Sequence, residues 1–154
     1  MPFELAKRVV PHVIPLNSKT ELPKFVGFFD TETYIHGTKQ VLRLGVFIVR
    51  RNDAGSRKEY VFHTGEEFAD LIERTLGKGK NNIWVYAHNV QFDLMSTDII
   101  DILAKRGWNV TFYSVEMNKV IISLKKEHQT IYFLDSMNYF IGASVEQLGK
   151  IFGL

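Results

Sequence analysis

The chain has 154 residues, of which 45% are hydrophobic and 23% charged, and this composition is typical of a soluble globular protein with one core. The composition excludes intrinsic disorder, and the length leaves no room for a second domain of ordinary size. No cysteine is present, so disulfides, thiolate metal sites and cysteine nucleophiles are excluded, while the net charge of +2 permits a polyanionic partner without requiring one.

The N-terminal segment lacks the unbroken apolar run of a signal peptide. Nowhere does the sequence contain the roughly 18 consecutive apolar residues that a membrane span needs. We therefore expect an intracellular protein without a membrane partner, cytoplasmic or, if the gene is viral or plasmid-encoded, in the host cell. All four prolines lie within the first 23 residues. Because proline fixes φ and lacks the backbone donor, this predicts an extended arm over residues 1–24 and a folded domain over residues 25–154.

Strand patterns dominate the first part of the domain. Phe25–Phe29 is a short apolar run that ends at Asp30, as a buried central strand does. Val41–Val49 and Tyr60–His63 flank the turn-rich segment 52–56. This arrangement predicts three strands that include a hairpin.

Helix signals follow. Thr64 with Glu67 three residues later is a capping-box pattern, and the helical spacing of apolar residues after it continues until Gly77. Ile83–Tyr86 reads as another buried strand. A polar loop and a second helix follow, in which the apolar residues of Met95–Leu103 share a face.

The last part of the chain predicts a sheet meander and a helix. Three strands are predicted near residues 109–114, 119–125 and 130–135. Ser144 with Gln147 is a second capping box, and Gly153 is placed to end the helix that it starts. The predicted order is β-β-β-α-β-α-β-β-β-α, a mixed α/β sheet flanked by helices.

Two acidic residues, Asp30 and Glu32, follow the first strand. A strand that continues through them would place both carboxylates on one face, because residues i and i+2 point to the same side. Two such like charges are stable side by side mainly when a divalent cation lies between them. The alternative is a chain that turns at residue 30, with Asp30 as a turn or cap residue and Glu32 in solvent.

A third carboxylate, Asp93, is predicted in the first turn of the second helix, where the helix dipole also favours aspartate for purely structural reasons. If the strands that end at Asp30 and Tyr86 are parallel neighbours, all three carboxylates meet at the edge where α/β sheets bind ligands. Such an oxygen-rich site suits Mg²⁺ or Mn²⁺ and two-metal phosphodiester chemistry, with the ions roughly 3.5 to 4 Å apart.

Two motifs in order carry a family resemblance. FFDTET and, later, HNVQFD resemble the first two motifs of the DEDD 3′–5′ exonucleases, Asp-x-Glu and Asn-x-x-x-Asp, which have a ribonuclease H-like fold. The chain is similar in particular to the N-terminal proofreading domain of protein-primed family-B DNA polymerases. FLDSMNYF and SVEQLGKIFGL resemble segments between the second and third motifs of these polymerases, so the resemblance covers about residues 25–154.

The resemblance implies roles for particular residues. Asp30, Glu32 and Asp93 would be catalytic and would bind Mg²⁺ or Mn²⁺ in a two-metal site that is filled fully or only in part. The single-stranded 3′ end of DNA would contact five residues: Thr33, His88, Asn89, Phe92 and Ser136. From the residues alone, a core position for Phe92 is about as well supported as a contact with DNA. His88 is as typical of a residue that orients the loop as of one that touches DNA. Asp135 is more typical of a structural residue at a strand end than of a metal ligand.

The third motif of the family, Tyr-x-x-x-Asp or His-x-x-x-Asp, is absent from the 154 residues, since Tyr132 leads to Ser136 and Tyr139 to Ala143. The resemblance therefore implies either a C-terminally incomplete fragment, with the polymerase domain of the same longer chain as partner, or a short protein that lacks one catalytic residue set.

The expected function is that of a metal-dependent 3′–5′ exonuclease (proofreading) domain that hydrolyses the 3′-terminal phosphodiester of single-stranded DNA. Whether the chain is an active enzyme stays open at this point. One alternative is a catalytically incomplete nucleic-acid-binding or assembly module of the same fold. Its candidate basic residues are Lys105, Arg106, Lys119, Lys125 and Lys126, although such residues often form only a solvated face. Another alternative is an unrelated metal-dependent phosphohydrolase.

Overall fold

A computed structural model of the protein describes residues 22–116, 119–140 and 142–153. The arm predicted over residues 1–24 lies outside the described residues except for its last three. The strands are β1 (Phe25–His36), β2 (Lys39–Arg51), β3 (Arg57–Phe62), β4 (Asn82–Ala87), β5 (Asn109–Glu116), β6 (Lys119–Lys126) and β7 (Gln129–Asp135). The helices are α1 (Gly65–Leu76), α2 (Val90–Thr97), α3 (Ile99–Lys105) and α4 (Val145–Phe152), with a 3₁₀ turn at Ser136–Asn138.

The strands form one mixed sheet in the order β3-β2-β1-β4-β7-β6-β5. Strands β1 to β3 form one antiparallel unit and β5 to β7 another, and β4 joins them by pairing in parallel with both β1 and β7. The ends of β4 and β7 therefore meet beside the middle of β1. We call this region the carboxyl edge; it comprises Phe28–Glu32, Tyr86–Val90 and Asp135–Ser136.

The predicted mixed α/β class is confirmed, with one difference in the helices. The single helix predicted after β4 is two helices, because Asp98 between them adopts a left-handed backbone conformation with φ 51°. Its N–H bonds to the carbonyl of Met95 and ends α2. Met95 is exposed whereas Ile99 and Leu103 are buried, so these residues do not share the predicted face.

Strand β1 extends beyond the apolar run that predicted it. Only Phe25–Phe28 pair with β4, whereas the whole strand pairs with β2 and forms a hairpin that turns at Gly37, where φ is 63°. The chain does not turn at residue 30, so the strand interpretation of this segment is confirmed. Burial alternates along the strand: Phe29 and Thr31 are buried, while Phe28 and Asp30 are exposed.

Phenylalanine rings fill the core between β1–β3 and α1. The ring of Phe68 on α1 lies 4.6 Å from that of Phe62 and 4.8 Å from that of Phe29, measured between centroids. Gly45 is required by this packing, because a Cβ there would lie 2.1 Å from the Phe62 ring. The glycine within the β2 strand thus leaves the space that an aromatic core needs.

Helix α4 begins as predicted, with the Ser144 hydroxyl accepting a hydrogen bond from the Gln147 N–H and the Gln147 side chain accepting one from the Ser144 N–H. It ends at Gly153, where φ is 72°. None of its residues is buried. Within the described residues, no helix combines the length and the apolar character that crossing a membrane requires.

Candidate functional site

Asp30 and Glu32 present two carboxylates on one exposed face of β1, at the carboxyl edge. Among the described residues, the ion pairs include neither of them. Both side chains lie where the strand alternation places them. Two like charges at this spacing, with no salt-bridge partner in the described part of the chain, are available to an external cation.

Asp93 lies on the other side of the same strand. It is 2% exposed, and its Oδ1 accepts hydrogen bonds from the Thr31 N–H at 3.1 Å and from the Thr31 hydroxyl at 2.5 Å. The Thr31 Oγ1 is also 3.0 Å from the Ser96 Oγ. Because Thr31 stands between Asp30 and Glu32 in a strand, its side chain points to the opposite, buried face. Asp93 thus bonds to the strand that carries Asp30 and Glu32, but it does not share their face.

The electrostatic setting of Asp93 is unusual for an aspartate. Burial raises the pKa of its carboxyl group to about 6, the hydrogen bonds from Thr31 oppose the shift, and the negative charges of Asp30 and Asp135 add to it. Below pH 6 Asp93 is mainly neutral.

The donor set determines how well a divalent cation fits. In the part of the chain that the structure describes, no three His, Asp or Glu side chains are grouped so that they could hold one ion. Asp30 and Glu32 alone fit a single ion that keeps most of its water ligands, as Mg²⁺ commonly does. Asp93 could contribute only its Oδ2 atom, because Oδ1 accepts both hydrogen bonds from Thr31.

Two of the residues predicted to contact DNA lie beside Asp30. The Nδ1 atom of His88 is 2.9 Å from the Oγ of Ser136. Both side chains and Asp30 line a cavity of about 340 Å³, which Val145 and Leu148 of α4 cover on one side. The structure therefore brings together one predicted metal ligand and two predicted DNA contacts.

Asp135 fixes the loop that carries these residues. This carboxylate is 3% exposed and accepts hydrogen bonds from the N–H groups of Asn89 at 3.2 Å, Val90 at 3.0 Å and Met137 at 2.8 Å. Its interpretation as a structural residue at a strand end is confirmed. Asn89 itself is exposed and adopts a left-handed conformation with φ 65° at the start of α2.

Thr33 and Phe92 are not part of this cavity wall. The Thr33 hydroxyl accepts a hydrogen bond from the Gln40 side chain at 2.7 Å, beyond a register shift between Glu32 and Thr33. Phe92 is half-buried in the first turn of α2. Their proposed contacts with DNA stay predictions.

Sequence reasoning missed three residues of the site: Thr31, Phe28 and Tyr86. Phe28 and Tyr86 are register partners on β1 and β4, and their rings stack with centroids 5.8 Å apart, next to Asp30. Burial and the neighbouring Tyr139 raise the pKa of Tyr86 to about 12, so its hydroxyl stays protonated. The alternation of β1 could have indicated these roles, since it places Phe28 on the face of Asp30 and Thr31 on the other.

Comparison with known proteins identifies structural relatives of this fold. A structure of Phi29 DNA polymerase with primer-template DNA superimposes with a TM-score of 0.58 at 16% identity, covering 86% of this chain and 24% of that one. The polymerase with single-stranded DNA gives the same values, and its ternary complex with primer-template DNA and incoming nucleotides gives 0.56 at 17% identity, covering 87% of this chain. The chain thus spans about a quarter of these polymerases, and at such identity the likeness shows the fold alone. No protein-family model and no curated protein matches it.

Proposed function

We propose that the chain is a metal-dependent 3′–5′ exonuclease domain of the proofreading type, related to that of family-B DNA polymerases, which hydrolyses the 3′-terminal phosphodiester of single-stranded DNA. The observation that carries the proposal is the pair of exposed carboxylates, Asp30 and Glu32, at the carboxyl edge of a mixed sheet and beside a cavity. The motif resemblance and the fold of the Phi29 polymerase structures support it.

The residues of the cavity have chemistry that suits a DNA terminus. The stacked rings of Phe28 and Tyr86 offer a flat surface on which a terminal base can stack. His88 and Ser136 can donate hydrogen bonds to sugar or phosphate oxygens. Asp30 and Glu32 would hold a divalent ion, which supplies charge stabilisation at the phosphate and lowers the pKa of bound water.

One observation favours a second candidate function, a nucleic-acid-binding module without useful catalysis. Asp93, the third carboxylate of the predicted set, is buried and hydrogen-bonded to Thr31 instead of joining Asp30 and Glu32. Two carboxylates hold a single hydrated ion more readily than the two ions of the full mechanism.

Shortening of single-stranded DNA in the presence of Mn²⁺ tests the proposal. The substrate is an oligonucleotide labelled at its 5′ end, followed over time. We expect slow removal of nucleotides from the 3′ end, and Asp30→Asn together with Glu32→Gln should lower the rate at least tenfold, because both proposed ion ligands are lost. Glu59→Gln is the matched control, since Glu59 is an exposed carboxylate on β3 away from the carboxyl edge.

The other outcomes separate the two candidates. Unchanged shortening in the Asp30, Glu32 double variant would show a contaminating nuclease and would remove support for the proposal. No shortening, combined with single-stranded DNA binding that weakens in Phe28→Ala, would favour the binding module. If the chain neither shortens nor binds single-stranded DNA, both candidate functions are contradicted.

A further inference from the structure

A second cavity lies at the end of the sheet opposite the carboxyl edge. It has a volume of about 310 Å³ and lies between the C-terminal half of α1 and the sheet formed by β1–β3. Two cross-strand pairs form its floor, Phe25 with Arg51 and Val49 with Lys58. Arg74, in the last turn of α1, contributes to the opposite wall. We call this the basic cavity.

The charges of the basic cavity are all positive. Arg51, Lys58 and Arg74 line it, and none of the carboxylates that the structure describes does. Arg51 is bound to Asp53 at 2.6 Å, but the ion pairs among the described residues include neither Lys58 nor Arg74. The C-terminal end of α1 contributes a partial charge of about −0.5, which is smaller than that of two unpaired cations. The basic cavity therefore favours an anion.

The remaining walls are suited to a flat organic group. Phe25 and Tyr60 place aromatic rings in the lining, and Leu71 adds an apolar side chain from α1. The volume is close to the lower limit of about 300 Å³ for small-molecule sites. Aromatic rings beside unpaired cations are the combination that binds a base and its phosphate.

We propose that the basic cavity binds a mononucleotide, with Lys58 and Arg74 contacting the phosphate and Phe25 and Tyr60 contacting the base. The site is separate from the carboxyl edge, because Phe25 starts β1 and Asp30 follows five positions later, roughly 17 Å along an extended strand. It requires neither the metal ion nor the DNA terminus of the proposed exonuclease site.

Calorimetric titration with deoxyadenosine 5′-monophosphate tests this site, in EDTA so that no divalent ion occupies the carboxyl edge. We expect saturable binding that weakens at least tenfold in the double variant Lys58→Gln, Arg74→Gln. Both side chains are exposed, so the variant should fold, which circular dichroism checks. Arg57→Gln is the matched control, because Arg57 precedes Lys58 on β3 and pairs with Glu59 instead of lining the cavity; its affinity should stay within twofold.

Further arms identify the chemistry that is recognised. If the cavity binds both the base and the phosphate, deoxyadenosine should bind at least tenfold more weakly than deoxyadenosine 5′-monophosphate. Inorganic phosphate should also bind at least tenfold more weakly than the nucleotide. Equal binding by inorganic phosphate, no saturable binding of the nucleotide, or equal affinity in the double variant would overturn the proposal. Loss of binding in Asp30→Asn would also overturn it, because that result would place the ligand at the carboxyl edge.

Discussion

Thr31 holds the Asp93 carboxyl group on the buried side of β1 through both its N–H and its hydroxyl. Both hydrogen bonds end on Oδ1, so a shift of the whole carboxyl group toward Asp30 and Glu32 would break them, whereas Oδ2 accepts neither. The cost of leaving a buried partner unsatisfied is about 1 to 3 kcal/mol per group. Thr31 therefore fixes the position of Asp93 through Oδ1, and only Oδ2 could take part in ion binding without this cost.

Asp93 should make the stability of the fold depend on pH. Its pKa of about 6 in the folded protein lies above the ordinary value of 3.8, so the folded state binds the extra proton between these values. The free energy of unfolding contributed by this group is therefore greatest below pH 4 and should fall by about 2 to 3 kcal/mol as the pH rises through 6.

Urea unfolding between pH 4 and 7 in EDTA measures this dependence. Asp93→Asn keeps an oxygen that can accept from Thr31 but cannot ionise, so the decrease should be absent from the variant. Asp101→Asn, an exposed aspartate on α3, serves as control and should retain it. The same decrease in Asp93→Asn and in the unchanged protein would contradict the assigned pKa.

Strand alternation predicted the shared face of Asp30 and Glu32, because it depends only on the backbone. The position of Asp93 in the first turn of α2 was also predictable. Its partner was not, since the residue that Asp93 meets depends on which side of β1 the helix packs against. A threonine between two carboxylates indicates only that a polar residue faces the buried side.

At the scale of elements, Gly65 controls how closely α1 approaches the turn after α2. A Cβ at this position would lie 1.9 Å from the Thr97 carbonyl oxygen, which is backbone and cannot move alone. In an ordinary helix, replacing glycine by alanine stabilises by up to about 1 kcal/mol. At Gly65 the close packing should make the same replacement destabilising.

We expect Gly65→Ala to lower the free energy of unfolding by about 1 to 3 kcal/mol, the range typical of overpacking. Chemical denaturation monitored by circular dichroism measures it. Arg74→Ala on the exposed surface of the same helix should change stability by less than about 0.5 kcal/mol. A stabilised Gly65→Ala variant would show that α1 can shift away from Thr97 without loss of packing.

Local signals predicted element starts better than element lengths. The Thr64 hydroxyl accepts from the Glu67 N–H at 3.1 Å, as the capping pattern requires, although the Glu67 carboxylate accepts from the His63 N–H instead of closing the box with Thr64. The extension of β1 to His36 depends on pairing with β2, which no local pattern contains. The break at Asp98 was hidden because apolar residues continue at helical spacing on both sides of it.

At the scale of the whole molecule, the small net charge of +2 hides a difference between two regions of the sheet, one exposing negative side chains and the other positive ones. The carboxyl edge exposes Asp30 and Glu32 without a cationic partner among the described residues, whereas the basic cavity at the other end has Lys58 and Arg74 unpaired. Composition alone could not predict this separation. It follows from the register of β1 with β2, which places Arg51 beside Phe25 at the start of β1 and Asp30 beside Val46 near its middle.

The central position of β4 determines how the sheet can open. Each of the two antiparallel units can lose its outer strand, β3 or β5, while the rest of the sheet stays paired. Strand β4 cannot leave alone, because its backbone pairs with β1 on one side and β7 on the other. Its release divides the sheet into two halves, so it should occur only with global unfolding.

Native-state hydrogen exchange should therefore rank the strands by position. The amide of Val85 should exchange with an opening free energy equal to that of global unfolding, whereas Tyr60 on β3 should exchange through smaller openings that low denaturant concentrations hardly affect. Equal opening free energies at both sites would mean that the edge strands unfold with the centre. In that case the seven strands would form one cooperative unit, and neither half would have any stability of its own.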